Sequence, residues 1–489
     1  MQSVLQAALI SWSIPWIATL AIILTALLYL RGWYLLRCAG FPLLPPWRAG
    51  CFLSGLLALW IALASPMDVF NGWLLTAHML QHMVLMMIAP PLILLGAPLI
   101  LLVRGLPIFA AREFAGPFLN WRPAQRLGRR LTQPFVALLL MGVVMLGWHV
   151  PALYELALRS PAWHQFEHAC FLMTSLIFWW PVVQPWPSKP QWPRWTMVPY
   201  LLIADLQNTA LSATLVFADR VLYPSYLDAP HVFGLSTAQD QAAAGAIMWV
   251  VGSAAFLVPA VLIAVQCLMR RQLPLQPQRL PKQTPRFPGV WQAVARGLGM
   301  RRGTAEAFSF VLIFVAAGLA FSTALALSGS DDDELALRAH QQSNNLDVAV
   351  YMPEGTLPVG ENTVSVLVQN TSGGVLLDSP MELSLTQTGG GQRSLPVRES
   401  EAESPNKLLR SASMNLPEPG EWLMRVSITH AADSLSITLK VQSVSPHREF
   451  GDAWPQLVFP GFTVVLLLVY WQRHRHPMPR QAAQTAASH

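Results

Sequence analysis

His78-Met79-Leu80-Gln81-His82-Met83, continuing as Val84-Leu85-Met86-Met87-Ile88-Ala89-Pro90-Pro91-Leu92-Ile93-Leu94-Leu95-Gly96-Ala97-Pro98, sets two imidazoles at the mouth of a long apolar run. On a helix, residues four apart share a face about one turn, or roughly 5.4 Å, apart, so His78 and His82 can ligate one ion or two neighbouring ones. Histidine is the commonest metal ligand.

The rest of the chain has the composition of a polytopic membrane protein: 489 residues, 53% apolar and 12% charged, with a mean hydropathy of +0.40. Apolar runs long enough to cross a bilayer fall near 14–36, 47–64, 74–103, 133–150, 163–183, 196–218, 239–269, 306–328 and 454–471. The first has no basic residue before it and is too long for a signal-peptide core, so it is expected to be retained. The prolines of the third run predict a kink, tolerated where neighbours re-satisfy the freed carbonyls. Lysine and arginine gather in alternate loops. Those after the first, third, fifth and seventh runs, with the C-terminal tail, hold 22 of the 32 basic residues, whereas 331–452 has 8 basic against 17 acidic. By the rule that basic loops stay inside, the N-terminus is outside, the C-terminus is cytoplasmic and 331–452 is exported. The arginine-rich loop 104–132 is expected to lie against anionic headgroups. A basic excess confined to such loops calls for membrane lipid as partner and for no nucleic acid.

Within 331–452, Leu346–Tyr351, Thr363–Val368, Met381–Leu385, Trp422–Ile428 and Leu435–Val441 alternate with period two between turn clusters, which predicts an antiparallel β-sandwich of about seven strands. The expected fold class is therefore an all-α polytopic membrane bundle of about nine transmembrane helices, with an exported β-sandwich inserted before the last helix. Its parts are a seven-helix core (1–269), a basic cytoplasmic linker (270–305), helix eight (306–330), the sandwich (331–452), and helix nine with a cytoplasmic tail (453–489). Tethered by helices at both ends, the sandwich is expected to sit over the core. Cys38, Cys51, Cys170 and Cys267 all fall in or beside predicted helices and offer no disulfide framework. The exported segment has no cysteine, which excludes a blue-copper centre there.

Threading this topology brings His78, His82, His149, His164, His168, His231 and Asp240 to the outer side from several helices. His164 and His168 repeat the four-residue spacing of His78 and His82. Two such pairs and a fifth histidine at one depth predict a shared metal or haem site. Met79, Met83, Met86 and Met87 on the same helix favour Cu(I) if they face the site, and are gap-filling core residues otherwise. Glu167 and Asp240 are candidate ligands or orienting partners. Asp205, at membrane depth, reads equally as a functional carboxylate or as one hydrogen-bonded between helices. Met352, Met381, Met414, Met424, His340 and His430 offer either a weak copper port in the sandwich or ordinary core and surface positions.

His78-x3-His82 with Ala89-Pro90-Pro91 and Gly96-Ala97-Pro98, His149-Val150-Pro151 with Tyr154, His164-x2-Glu167-His168 with Trp179-Trp180-Pro181, and Asp240-Gln241 with Gly245 and Met248-Trp249 together resemble the CtaG family of cytochrome c oxidase assembly factors. The resemblance spans about residues 50–270. It implies a non-enzymatic factor of the bacterial inner membrane that supplies copper for oxidase maturation, a chaperone-like role with His78, His82, His149, His164, His168 and Asp240 as the site. Its partners would be cytochrome c oxidase subunits and a periplasmic copper carrier. The added sandwich is similar to small exported domains of the FixH and YtkA type, through Pro417-Glu418-Pro419-Gly420-Glu421-Trp422. Two other readings stay open: CopD-like copper transport across the membrane, and a membrane b-type cytochrome with His82 and His168 as axial haem ligands.

Overall fold

The computed structural model describes residues 2–38, 45–108, 111, 121–272 and 335–444, apart from positions 187, 189, 228, 231, 232 and 234, and short breaks at 344, 354, 371–373, 378, 388–393, 397, 400–405, 431 and 432. The linker 270–305 beyond residue 272, helices eight and nine, and His231 lie outside the described residues.

The N-terminal half is helical. A short α1 (Gln2–Leu9) leads into α2 (Trp16–Cys38), α3 (Pro46–Ala64) and the single turn α4 (Pro66–Val69). The opening stretch then runs as α5 (Leu75–Met83), a π-helical turn Val84–Ile88, α6 (Ala89–Leu95) and α7 (Pro98–Gly105). After these come α8 (Arg122–Leu131), α9 (Pro134–Trp148), α10 (Pro151–Arg159), α11 (Pro161–Val183), α12 (Met197–Val216) and α13 (Thr237–Gln272). Proline stands in the first turn of α3, α4 and α7 to α11, where its missing N–H costs no bond and its fixed φ suits the helix.

Among the described residues, five helical stretches are long and apolar enough to cross a membrane: Trp16–Cys38, Pro46–Val69, Leu75–Leu95, Pro161–Val183 and Thr237–Met269. A sixth is counted if α8 and α9, bent by 71°, make one span. The 20-residue α12 has the length but carries Asp205, Gln207 and Asn208. Their side chains serve neighbouring helices. Asp205 accepts from Ser253 Oγ at 2.7 Å, Gln207 donates to the Gly142 carbonyl at 3.0 Å, and Asn208 donates to the Met248 carbonyl at 3.2 Å. Asp205 thus takes the interhelical role open to it in the sequence.

The expected third span, 74–103, is instead broken twice. At Gly96 and Ala97 the helix ends, with Ala97 in the left-handed region at φ 48°, and α7 turns back against α2. The two backbones touch at glycines: a Cβ on Gly32 would lie 1.8 Å from the Leu101 carbonyl oxygen, and one on Gly105 would lie 1.9 Å from that of Leu28. Only glycine permits that approach. At Pro90 the break is milder. A regular helix would have the N–H of residue 90 donate to the Met86 carbonyl; proline has none, and the indole N–H of Trp179 donates there instead at 2.9 Å.

The C-terminal described region consists of two five-stranded sheets, in the orders β1-β2-β4-β8-β7 and β3-β10-β9-β5-β6. The strands are β1 (Leu335–Ser343), β2 (Leu346–Pro353), β3 (Leu357–Pro358), β4 (Gly360–Asn370), β5 (Met381–Gln387), β6 (Ser394–Pro396), β7 (Arg398–Glu399), β8 (Arg410–Leu416), β9 (Gly420–His430) and β10 (Asp433–Val444). All pairings are antiparallel except β10 with β3. Every period-two segment in the sequence is a strand here, and the strands beyond seven include the two-residue β3 and β7. One apolar core takes side chains from both sheets, among them Val348, Val350, Val366, Val368, Trp422, Val426 and Ile428. Met352, Met381, Met414 and Met424 belong to that core at no more than 5% exposure, so they are packing residues and not a copper port. His340 pairs with Asp347, and His430 Nδ1 with the Ser379 hydroxyl.

β2 is apolar almost throughout because both its faces are covered. Val348, Val350 and Met352 enter the sheet core, while Ala349 and Tyr351 join Leu367, Leu408 and Leu409 in a second cluster with Ala7 and Ala8 of α1 and Phe70. Trp73, Leu74 and Ala77 pack onto this cluster, with the Trp73 and Tyr351 rings 5.5 Å apart, and the Lys407 N–H donates to Ser11 Oγ at 2.9 Å. The sheets therefore rest on the turn that begins α5, one residue from His78.

Candidate metal centre

α11 packs on the π-helical turn and α6 that continue α5, and α5 and α11 each bring a histidine pair to the same level. His78 and His82 sit one turn apart, edge to face, with ring centroids 4.3 Å apart; His164 and His168 sit likewise, tilted by 55°, at 4.2 Å. Across the gap, His78 faces His164 at 5.3 Å and His82 faces His168 at 5.2 Å. The four imidazoles form a rough rectangle. Donor atoms of His78, His82, His164 and Glu167 lie within 4.8 Å of one another, close enough for one small cation to draw them together. His149, at the end of α9, approaches from the side: Phe171 lies 4.7 Å from His82 and 6.5 Å from His149, ring centre to ring centre. His149 Nδ1 donates to the Met145 carbonyl at 2.7 Å, which fixes the tautomer and leaves Nε2 as the free lone pair.

Of the six residues marked in the sequence, three belong to the tight group, His149 and His168 border it, and Asp240 does other work. Its carboxylate accepts the backbone N–H of Leu75 at 2.6 Å and of Thr76 at 3.3 Å, and the Thr76 hydroxyl as well. It caps α5 from a distant part of the chain, complementing the orphan N–H groups and positive end of that helix. Gln241 does the same for the loop before it, accepting from the Leu222 N–H at 2.7 Å and donating to the Arg220 carbonyl at 3.2 Å. Gln81, between the two histidines in sequence, ties α5 to the Ala62 carbonyl at 2.9 Å and to Asp68 at 2.7 Å. Glu167 stands in the sequence only as one of two carboxylates of undecided role; its four-residue neighbourhood with His164 and His168 was the available signal.

The strongest mark of a ligand site is what these atoms lack. Both ring nitrogens of His78 and of His82, the Nε2 atoms of His149, His164 and His168, and Glu167 Oε2 are buried without a hydrogen-bond partner. Buried polar groups in folded proteins are almost always paired, and each unpaired one costs about 1–3 kcal/mol. Among these residues, one nitrogen each from His78, His82 and His164 and one Glu167 oxygen lie together and fit a cation held by lone pairs, and the set of imidazoles with one carboxylate suits copper or zinc.

Tyrosines close the site on the side of α10. Tyr154 lies 5.0 Å from His78 and stacks on Tyr223 at 3.9 Å. Its hydroxyl meets that of Tyr226 at 2.9 Å, and Tyr226 in turn donates to the Asn71 carbonyl at 2.7 Å. Burial holds the Tyr226 phenol well above its usual range, so it is a neutral donor. Glu155 pins this loop by accepting the Ser225 N–H at 3.1 Å, and Tyr223 donates to the His149 carbonyl at 3.2 Å.

Residues 27–270 match the family described as cytochrome c oxidase caa3 assembly factor (Caa3_CtaG). An uncharacterized protein of Mycobacterium leprae is 24% identical over 225 residues, covering 45% of this chain and 34% of its own. One of Mycobacterium bovis is 27% identical over 175 residues, covering 35% and 26%. The chain thus spans about a third of the length of these relatives or less. No solved structure matches. The matched span contains every donor described above, and through it the chain belongs to the cytochrome c oxidase caa3 assembly factor family.

Proposed function

We propose that this protein is a membrane-embedded assembly factor that binds copper at His78, His82, His164 and Glu167, with His149 and His168 in reach, and aids metallation of cytochrome c oxidase. The observation that carries the reading is the gathering of donor atoms from His78, His82, His164 and Glu167 within 4.8 Å of one another, among side chains with buried atoms that lack hydrogen-bond partners. The family supports oxidase as the client, and the donor set supports a borderline transition metal. On this reading the six residues marked in the sequence divide their work: the imidazoles hold the ion together with Glu167, and Asp240 holds the helix that presents two of them. The protein acts as a metal-handling factor and not as an enzyme, in the cytoplasmic membrane of a bacterium, with the site and the β region on the outer side, where a periplasmic carrier can deliver copper.

The haem alternative gains nothing from the geometry. His82 and His168 rings only 5.2 Å apart leave no slot for a porphyrin between them. The test is the metal content and visible spectrum of the purified full-length protein, wild type against His78→Ala/His164→Ala, with oxidase activity in cells carrying each. Copper retained by the wild type, lost in the variant and accompanied by loss of oxidase activity is the expected result. A haem band that vanishes in the variant overturns it. Normal oxidase with altered cellular copper would replace it with transport.

A further inference from the structure

The end of the bundle away from the histidines carries a second surface with its own chemistry. α8, Arg122-Pro123-Ala124-Gln125-Arg126-Leu127-Gly128-Arg129-Arg130-Leu131, contains four arginines and no acidic residue. Arg122, Arg126, Arg129 and Arg130 are all exposed, and at about 100° per residue they fall within an arc of roughly 100°. Gln125, beside the arc, and Gly128, on the far side from it, are buried against the protein. Leu127, 41% exposed, gives the arginine stripe an apolar border. The helix is bent by 71° from α9, across a two-residue turn tightened by a bond from Thr132 Oγ1 to the Gly128 carbonyl. If α9 stands across the bilayer, α8 lies nearly in the plane of its surface.

A neighbouring segment completes the surface. Gln191 donates to the Arg129 carbonyl at 3.3 Å and to Thr132 Oγ1 at 3.1 Å, which fastens the loop between α11 and α12 to the end of α8. That loop presents Trp192 and Trp195, 39% and 59% exposed. Exposed indoles beside a row of guanidiniums match the two layers of a membrane interface, the rings at the level of the glycerol backbone and the guanidiniums at the phosphates. A soluble acidic partner would not call for exposed tryptophan and leucine at the same edge.

We propose that α8 and the 191–195 segment form a binding surface for anionic phospholipid headgroups. The test is native mass spectrometry of the full-length protein released from mixed phosphatidylglycerol and phosphatidylcholine nanodiscs, for wild type, for a variant with all four arginines changed to glutamine, and for one with all four changed to lysine. Preferential retention of phosphatidylglycerol by the wild type is expected, weakened roughly fivefold for each arginine neutralised. The lysine variant should keep most of the preference, which separates loss of charge from loss of folding. Equal retention of the two lipids by the wild type, or a glutamine variant with unchanged preference, overturns the proposal. Because it is read from lipid retention alone, the outcome is independent of whether copper is bound.

Discussion

The carboxylate of Asp240 and the backbone N–H of Leu75 meet at 2.6 Å across 165 positions of sequence. This bond fixes where α5 starts, and with it the level at which His78 and His82 enter the core. Asp240→Ala should cost about 1–3 kcal/mol through the lost cap and the N–H groups left unpaired. Thermal unfolding in detergent reads that loss. Saturating copper should still bind, since no donor is removed; a variant with wild-type stability but no metal would make Asp240 a ligand.

Glu167→Gln keeps the size of the side chain and removes its charge. With imidazoles as the remaining donors, the affinity for a divalent ion should fall at least tenfold. Competition titration against a chelator measures it. An unchanged affinity would leave the carboxylate outside the donor set.

Tyr226→Phe deletes the hydroxyl that joins Tyr154 to the Asn71 carbonyl. Two buried partners lose a bond, so stability should fall by about 1–3 kcal/mol. Metal uptake and release should both quicken while the equilibrium affinity holds, because the ligands are untouched and only the cover is loosened. Stopped-flow exchange with a chelator distinguishes this from direct damage to the site, which would speed release alone.

Much of this was legible in the sequence because two periodicities are strong. The four-residue spacing of His78 with His82 and of His164 with His168 fixed which faces of α5 and α11 meet, and the alternation in 422–428 and 435–441 fixed β9 and β10. What was hidden depended on partners far away in the chain. Asp240 at a membrane boundary reads the same whether it faces a cation or another helix's N–H groups; only the packing of α13 on α5 decides. The break at Gly96-Ala97 looked like one more proline kink, since nothing local announces that Gly105 and Gly32 will touch backbones. The apolar run in β2 gave no sign that Tyr351 would leave the sheet core to meet Trp73.

The wide turn at 84–88 sets the angular phase between the two halves of the helix that carries His78 and His82. Its carbonyls reach one residue further along than α-helical ones do, as the bond from the Ala89 N–H to the Val84 carbonyl shows, so the turn takes in one residue more than an α-helical turn. The histidine half and the half anchored by Trp179 therefore differ in angular phase by about 100° from what an unbroken helix would give. A related chain one residue shorter between its histidine pair and its Ala-Pro-Pro can run as an unbroken α-helix with both halves facing as they do here, whereas one of equal length without the wide turn would carry the same letters and aim its imidazoles elsewhere. Alignments across this stretch should admit a single gap at 84–88, and the motif alone is no guarantee of the centre.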